Sequence, residues 1–413
     1  MLTFSTISRA GIFNATPALC SIGEMIQSHS FSASSVDSPR RIQTRNEAAW
    51  PITVTLFEGL EGLNALALEW RELGAQGGLF GRFDFFRLYV EYLNKDPKSV
   101  RFLRFSDAIG VLAIIPLVPG RLPVGRFGSW RIMTLGNSAH VPLSDVPLAP
   151  RANAAVVGSL LIQSLERFRV PWSALVWSGF PTSSGAWQIA DSMRSRAFVD
   201  EYSPSNVFDT TLEYEALCSQ YSTNLRASLK KARRRLEENG AWRVVFASNG
   251  DKFSQEYFQE FLRLEASGWK GRAGTESAIK LNDKICGFYK ALLSEQVQSF
   301  ACEITLLECN GTAIAAQFSV FDGKCKHLLK IGYDETYAKF SPGQVLLDNV
   351  LRDACCNSRI ERVSLVTNMP WHQTWRPKAM NNSELVCIRN PIAAWLFSSH
   401  RRIKRFRRQI AAS

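Results

Sequence analysis

Apolar runs, turn pairs and a helix-spaced apolar stripe follow one another between residues 303 and 366, and the pattern predicts a fixed order of elements. Three apolar, β-rich runs, at residues 304–308, 313–321 and 325–332, are separated by Asn310-Gly311 and Asp322-Gly323. Asn-Gly and Asp-Gly pairs between apolar runs are the strongest short-range signal for a tight hairpin. The three runs are therefore predicted to form an antiparallel meander.

The segment after the meander is predicted to begin a helix at a Ser-Pro-Gly sequence. Ser341 stands at the N-cap position, Pro342 at the first helical position and Gly343 directly after it. Apolar residues then recur at helical spacing, and residues 362–366 are predicted to be a buried strand. A helix start with free backbone N–H groups can bind pyrophosphate. The sequence leaves two interpretations open here: a cofactor-binding helix and an ordinary capped helix.

The order strand, strand, strand, helix, strand occurs a second time, in residues 100–178. Each copy follows two predicted helices, at residues 63–73 with 83–93 and at residues 253–267 with 282–296. No repeat is visible residue by residue, so the prediction rests on the order of elements. It indicates an α/β (α+β) protein with an N-terminal half at 50–210 and a C-terminal half at 211–390. Each half is predicted to hold a mixed, largely antiparallel sheet flanked by helices.

The net charge of +12 over 413 residues is concentrated in two places. One is a predicted helix with an apolar stripe at Leu225, Leu229, Ala232 and Leu236. Its other faces carry Arg226, Lys230, Lys231, Arg233, Arg234 and Arg235. These basic residues indicate either a solvated face or a groove in which Arg226, Lys230 and Arg234 hold an anion.

The second basic cluster is the tail at 391–413, where six of the eight residues at 401–408 are Arg or Lys. Trp395, Ile403, Phe406 and Ile410 can share one side of a helix, which is typical of an interfacial helix at an anionic membrane over 395–410. The same composition also suits a nucleic acid or a frayed terminus. Residues 1–48 are Ser-rich and are predicted to be a disordered or leader segment.

Cysteine and histidine usage indicates the compartment. The nine cysteines include no C-x-x-C pair, and the five histidines are scattered. This usage favours a reduced compartment and gives no support for a metal site. No apolar run approaches the ~20 residues of a membrane span. The predicted location is therefore cytoplasmic, with peripheral contact at the inner face of a membrane if the tail binds lipid.

Three sequence blocks resemble a known family. They lie at 224–236, at 265–272 (Glu-Ala-Ser-Gly-Trp-Lys-Gly-Arg) and at 333–335 with 340–343. The C-terminal half resembles the GNAT acyltransferases. Residues 50–390 as a whole are similar to the double-GNAT acetyltransferases associated with bacterial cellulose and exopolysaccharide synthesis, which are related to the Fem-type aminoacyltransferases.

The resemblance implies tandem GNAT-like units and an acyl-CoA site, with acetyl-CoA as co-substrate and no metal. It places the cofactor against residues of the last helix start: Lys339, Ser341, Gly343, Gln344 and Val345. The common GNAT phosphate loop has the pattern Gln/Arg-x-x-Gly-x-Gly/Ala. Of that loop only Gly343 is present here, and the segment at 367–377 also departs from the relatives.

Acyl transfer from a thioester requires a base for the acceptor, a donor for the oxyanion and an acid for the thiolate. Asp334 and His372 are the candidate bases, and Tyr333 is the candidate acid that donates a proton to the thiolate. Their structural alternatives are a turn cap, a packed histidine and a core tyrosine. The candidate residues for the acceptor are a wall of Trp269, Trp371 and Trp375, with Lys270 and Arg272 for an anionic group.

Three functions remain open from the sequence. The first is an acyl-CoA-dependent N- or O-acyltransferase, with acetyl the leading acyl group, acting on a small-molecule or saccharide acceptor such as an exopolysaccharide or cell-envelope precursor. The second is a Fem-type aminoacyltransferase that uses aminoacyl-tRNA, in which the helix at 226–235 contacts RNA. The third is a non-catalytic scaffold in polysaccharide synthesis.

Overall fold

The computed structural model describes residues 40–399 apart from 47–48, 76, 124–127, 269, 272–273, 295–296 and 298. The strands are β1 Arg40–Asn46, β2 Ala49–Glu58, β3 Arg101–Ser106, β4 Val111–Pro123, β5 Ser129–Thr134, β6 Ala174–Pro181, β7 Phe198–Asp209, β8 Trp242–Ser248, β9 Ala301–Cys309, β10 Thr312–Phe321, β11 Cys325–Tyr333, β12 Arg362–Ser364 and β13 Lys378–Ile388.

The α-helices are α1 Gly59–Ala65, α2 Ala67–Gly74, α3 Phe83–Leu88, α4 Ala154–Arg167, α5 Gly185–Ser192, α6 Tyr214–Ser219, α7 Thr223–Asn239, α8 Ser254–Glu265, α9 Asp283–Leu292 and α10 Pro342–Cys356. A π-helical turn, Tyr89–Leu93, continues α3, and residues 391–399 are also helical. No helix of the described residues has both the length and the apolar character that a membrane span requires.

All the strands join one thirteen-stranded sheet in the order β1-β2-β3-β4-β5-β6-β13-β7-β12-β11-β10-β9-β8. Its neighbouring strands are antiparallel except for the pairs β5 with β6 and β11 with β12. Each parallel pair is joined by a helix crossover, α4 in the first case and α10 in the second. The predicted fold class, a mixed, largely antiparallel α/β architecture flanked by helices, is confirmed.

The repeated order of elements is also present in the structure. In both halves a strand is followed by helices, then by a three-strand meander, a helix and a strand parallel to the last meander strand. The helices form because their apolar residues recur on one face: Leu225, Leu229, Ala232 and Leu236 of α7 are all buried, as the stripe predicted. Two copies of one unit therefore lie side by side in a single sheet.

The last strand of each half pairs with the other half. β7 precedes the predicted boundary at 210 but pairs with β12, and β13 pairs with β6 of the N-terminal half. β7 and β13 also pair with each other along much of their length. The division into 50–210 and 211–390 therefore describes the chain order, whereas the sheet is continuous across it.

The leader prediction for 1–48 needs one correction. Residues 40–46, at its end, form the edge strand β1, which pairs antiparallel with β2. Residues 1–39 and 47–48 lie outside the described part of the chain. The sequence of β1 is largely polar and has no strand pattern of its own. β1 forms because its backbone pairs with β2, and the sequence of one segment does not reveal such pairing.

An ion pair lies where the two halves meet. His327 Nε2 and Asp322 Oδ2 are 2.9 Å apart, and both side chains are nearly buried. The same carboxylate oxygen accepts the Leu79 N–H at 3.3 Å, and the Arg82 guanidinium donates to the Asp322 carbonyl. The ring of Phe80 packs edge-on against His327. The turn after β10 thus binds the segment between α2 and α3.

Burial and ion pairing have opposite effects on the pKa values of His327 and Asp322. Burial disfavours the imidazolium, but Cys325 and Asp322 outweigh that effect and raise the pKa of His327 to about 10. Burial alone would raise the pKa of Asp322, yet the hydrogen bonds from His327 and from backbone N–H groups lower it. The pair is therefore charged at neutral pH.

Asp322→Ala is expected to lower the free energy of unfolding by about 3 kcal/mol near pH 6, because it leaves a buried imidazolium unpaired. The folded pKa of His327 exceeds its unfolded value of about 6.5. Its contribution is therefore fully present below that pH and is lost as the pH rises through about 10. Urea unfolding of wild type and variant at about pH 6 and pH 9.5 should give a smaller difference at the higher pH.

The control for this prediction is Asp191→Ala, which breaks the exposed pair between Asp191 and Arg194. That change is expected to cost at most about 0.5 kcal/mol at either pH. A difference between wild type and Asp322→Ala that does not change with pH would contradict the assignment.

Candidate functional site

A cleft opens in the C-terminal half where two parallel strands separate. β11 and β12 pair only from Cys325 with Arg362 to His327 with Ser364. Immediately beyond, β11 carries a bulge against β10, at Leu329, where the pairing register shifts by one residue. Bulges redirect side chains and are common beside active sites. Among the residues that the structure describes, the rest of β11 has no strand neighbour on the side of β12, and its edge borders the cleft.

The backbone on the opposite side of the cleft is strained. Val366 has φ +61°, a conformation that a β-branched residue rarely adopts. It is held there because the Ser205 hydroxyl donates to its carbonyl at 2.9 Å and the Ser364 hydroxyl accepts its N–H at 3.1 Å. The predicted strand at 362–366 consequently ends at Ser364. Strain of this kind is concentrated at functional sites.

The N-terminus of α10 closes one end of the cleft, and Ser341 stands at its N-cap position as predicted, but without a capping hydrogen bond from its side chain. The Ser341 backbone is left-handed (φ +49°). Pro342 has no N–H, and the N–H groups of Gln344 and Val345 bond to the Ser341 carbonyl. Within the described residues, the Gly343 N–H has no acceptor. The helix therefore presents a free donor at its positive end.

In the N-terminal half, the equivalent helix is α4, and its N-terminus is closed to a ligand because a side chain caps it. Asn153 caps α4, and its side chain accepts the N–H groups of Ala155 and Val156. Ala155 is the second residue of α4, as Gly343 is the second residue of α10. Because its donors are satisfied, α4 has nothing to offer a phosphate at that position. The two halves thus differ at the feature on which the cofactor prediction depends.

A cavity of about 660 Å³ fills the cleft between β11, α10 and the chain after β12. This volume lies within the range of sites for small molecules and cofactors. Tyr333, Met369 and Trp371 line it and are partly exposed, which places them at its mouth. The structure brings together seven of the predicted site residues in its lining: Lys270, Tyr333, Ser341, Gly343, Gln344, Trp371 and His372.

Other predicted site residues lie elsewhere. Lys339 is exposed beside Phe340 and is not part of the lining, and Val345 is buried in the core under α10. Trp375, predicted as part of the acceptor wall, is buried against Phe208 and Tyr221. Its role in the wall is therefore contradicted. Trp269 and Arg272 lie outside the described residues, so their roles stay predictions.

Asp334 is a turn cap. One oxygen of its carboxylate accepts the Thr336 N–H at 2.9 Å and the Thr336 hydroxyl at 2.7 Å, at the start of the 3-10 helix Glu335–Phe340. Its second oxygen lies 3.9 Å from the Arg263 guanidinium. Asp334 does not line the cavity. The structure thus supports the alternative of a local cap over the predicted catalytic base.

His372 lines the cavity, but the lone pair of its Nδ1 is used. The Asn206 side-chain amide donates to Nδ1 at 2.9 Å, and the Met369 N–H donates to it at 3.2 Å. Burial lowers the pKa of His372 to about 4, although a hydrogen bond with the Thr367 backbone opposes the shift. The ring is therefore neutral at pH 7 and has no free basic nitrogen. His372 is therefore not the base that the sequence predicted. Its hydrogen bonds hold the 366–372 segment in place.

The inner end of the cavity holds charged residues that the sequence analysis did not single out. Glu265, at the end of α8, pairs with Lys270 at 3.2 Å and accepts the Ile279 N–H at 2.9 Å. Helix α8 can approach β11 closely because Gly332 is a glycine; a Cβ there would lie 2.6 Å from Glu265 Cα. Lys330 of β11 donates to the Ala139 carbonyl of the other half at 3.4 Å. Both halves therefore contribute to the cavity.

The protonation states of this inner end differ from those of free side chains. Burial and the neighbouring Lys270 lower the pKa of Lys330 to about 8, against an opposing effect of Glu265. Burial, with Lys330 and Lys270, lowers the pKa of His140 to about 3. The buried Tyr289 hydroxyl stays protonated and lies 3.2 Å from His140 Nδ1. Donation from Tyr289 then leaves the His140 proton on Nε2.

Gln317 is the other polar residue at this end. It is 2% exposed, and within the described residues its Oε1 has no donor. A buried amide without a partner is costly unless a ligand or water satisfies it. The sequence did hold a signal: Gln317 lies between Ala316 and Phe318 in β10, and Lys330 lies between Leu329 and Ile331 in β11. In buried strands such residues indicate either pairing or function.

The basic helix α7 faces away from the cavity. Arg233 forms an ion pair with the buried Asp348 of α10, and Arg235 donates to the Lys339 carbonyl at 2.9 Å. Arg226 and Lys230 are exposed, and Arg234 pairs with Glu238 on the surface. None of these basic residues lines the cavity, so the predicted anion groove is not part of it. In the described part of the chain, no three His, Cys, Asp or Glu side chains group in a way that could hold a metal ion.

Comparison with known proteins gives the class of the C-terminal half. Residues 223–372 match the family described as the acetyltransferase (GNAT) domain. This match contains α10, β11, β12 and the cleft, and it makes the protein an acyltransferase by the class of this domain. The predicted GNAT resemblance is confirmed for these residues. The comparison with curated proteins gives no match.

Solved structures resemble the chain over most of its length. The crystal structure of FemX covers 80% of this chain and 98% of its own, with 10% identity and a TM-score of 0.56. The structure of L-PGS from Bacillus licheniformis covers 84% and 98%, with 11% identity and a TM-score of 0.48. A tandem GNAT protein from the clavulanic acid biosynthesis pathway covers 82% and 99%, with 10% identity and a TM-score of 0.44. At such identity the likeness to FemX shows the fold alone.

Proposed function

We propose that the protein transfers an acyl group, with acetyl the leading candidate, from acyl-CoA to an amine or hydroxyl of a saccharide or cell-envelope precursor. The observation that carries the proposal is the open N-terminus of α10 beside the cleft between β11 and β12, inside the segment that matches an acetyltransferase domain. The closed N-terminus of α4 restricts the proposed reaction to the C-terminal half.

Each wall of the cleft suits one part of CoA. The free Gly343 N–H and the positive end of α10 would bind the pyrophosphate. The edge of β11 beyond His327 lacks a strand partner on that side, so its main-chain groups can pair with the amides of an extended pantetheine arm. The thioester would then point to the inner end of the cavity, where Lys330 and Gln317 lie.

The inner end provides the groups that acyl transfer requires. The neutral amine of Lys330 takes the proton of the attacking O–H or N–H as the new bond to the acyl carbon forms. His140 Nε2–H donates to the oxyanion, and the C–S bond then breaks to release the thiolate, which takes the proton from the Lys330 ammonium and leaves as the thiol. Gln317 accepts a hydrogen bond from the acceptor, and Trp371 at the mouth offers an aromatic surface for a sugar ring.

A second candidate is aminoacyl transfer from tRNA. The observation that favours it is the exposed basic face of α7 at Arg226, Lys230 and Lys231, on the helix that packs against α10. Such a face suits a phosphate backbone. The acyl-CoA proposal is preferred because these side chains do not reach the cavity.

The test is a thermal-shift titration of the whole protein with CoA, acetyl-CoA and aminoacyl-tRNA, followed by an assay of thiol release with saccharide acceptors. Stabilisation by CoA that grows with its concentration is expected, together with acceptor-dependent release of free thiol. Salt-sensitive binding of tRNA without any response to CoA would instead support the second candidate. A protein that responds to neither would refute both.

A further inference from the structure

The helix at residues 391–399 is fixed to the sheet by one face. Asn390 caps its start by accepting the N–H groups of Ile392 and Ala393. Ala393, Ala394 and Phe397 pack against a small core cluster at β5, β6 and β13. The ring centroids of Phe397 and Phe198 are 5.2 Å apart. The orientation of the helix is therefore set by the fold.

The opposite face of this helix is apolar and exposed. Ile392 is 69% exposed, Trp395 67% and Leu396 56%. Their spacing of three and four residues places them side by side on one surface of the helix. Other strongly exposed apolar residues, such as Leu68 and Ile109, lie far apart in the sequence and outside the cavity mouth. A contiguous apolar face of this kind indicates an interaction site.

Charge next to this face points to its partner. The residues that follow, at 401–408, include six Arg or Lys in eight positions, interrupted by Ile403 and Phe406. These residues lie outside the described part of the chain. An apolar face of Trp, Leu and Ile followed by a basic run is the composition that binds an anionic lipid surface.

We propose that the exposed face of Ile392, Trp395 and Leu396 docks the protein on an anionic membrane surface. An anionic lipid surface fits this face better than a nucleic acid does. A nucleic acid has no aliphatic surface against which the side chains of Ile392 and Leu396 could be buried. Lipid also fits better than a second copy of the chain, which would bring two runs of six positive charges together. Membrane docking does not depend on the acyltransferase activity. It gives the enzyme a location without identifying its acceptor.

The test is flotation of the full chain with vesicles of phosphatidylcholine, with and without phosphatidylglycerol. Binding is expected only with the anionic lipid and is expected to weaken as salt is raised. The double variant Trp395→Ser/Leu396→Ser should weaken the binding by about tenfold or more, because both side chains would lose their apolar environment.

Two matched controls carry the same kind of change elsewhere. Leu68→Ser and Ile109→Ser replace side chains that are 70% and 72% exposed and should leave vesicle binding unchanged. Flotation that is independent of phosphatidylglycerol, or a control variant as defective as the double variant, would overturn the proposal. Sedimentation that shows dimers broken by the double variant, or salt-sensitive RNA binding without vesicle binding, would assign the face to those partners instead.

Discussion

Gly343→Glu is expected to abolish binding of acyl-CoA while the protein folds as the wild type does. The new carboxylate would lie at the free end of α10, where the proposed pyrophosphate binds. At about 4 Å near a protein surface, two like charges repel by about 4 kcal/mol, which corresponds to a loss of affinity of about a thousandfold. An acidic residue in the first turn favours a helix, so the substitution should not unfold it. Calorimetric titration with CoA measures the loss.

Two control variants isolate the cause. In Gly343→Ala, the nearest atom to the added Cβ would be Tyr333 Cδ1 at 3.7 Å, an ordinary contact, so CoA binding should change only slightly. Ala155→Glu makes the same charge change at the second residue of α4, whose N–H is already capped by Asn153. It should bind CoA as the wild type does. CoA binding by Gly343→Glu at wild-type affinity would refute the location of the cofactor site.

The meander and the last helix of the site were predictable because their signals are local. Asn310-Gly311 and Asp322-Gly323 mark the turns that join β9 to β10 and β10 to β11, and the strands end or begin within two residues of them. Pro342 at the first helical position likewise predicted where α10 begins. These features depend on neighbours in sequence, which a single sequence contains.

The backbone geometry of the site was not predictable in the same way. The left-handed Ser341 and Val366 are held by surrounding contacts, such as the bond from Ser205, 161 residues away. Serine is a frequent cap and valine a frequent strand residue, so local preference pointed to the wrong conformation in both. The exchange of β7 and β13 between the halves is another consequence of tertiary pairing.

The chemistry of the cavity depends on residues that meet only in the fold. Lys330, Gln317 and Glu265 come from three elements, and His140 comes from the other half. The pKa of Lys330 falls because the fold buries it beside Lys270. His372 had the side chain of a base in the sequence, but two donors from distant and local residues occupy its Nδ1. A residue type therefore suggested a role that its hydrogen bonds exclude.

Lys330→Met is expected to lower kcat about a hundredfold to ten-thousandfold, the usual contribution of a general base. With a pKa of about 8, Lys330 is neutral in roughly a tenth of the molecules at pH 7, whereas an ordinary lysine would almost never be. The wild-type kcat/KM, which follows the titration of the free enzyme, should therefore rise with pH and level off above about 8. The residual activity of the variant should lack that rise, because the titrating base has been removed.

Lys330→Arg separates catalysis from a structural role. Arginine keeps the positive charge and can reach the Ala139 carbonyl, but it does not lose its proton at these pH values. If Lys330 is the base, the arginine variant will be as inactive as Lys330→Met, although both bind CoA. If Lys330 only orients the acceptor or joins the two halves, arginine will restore most of the activity, and the base must be sought elsewhere. Lys324→Met, at a lysine that is 69% exposed, provides the control and should retain full activity and the wild-type pH profile.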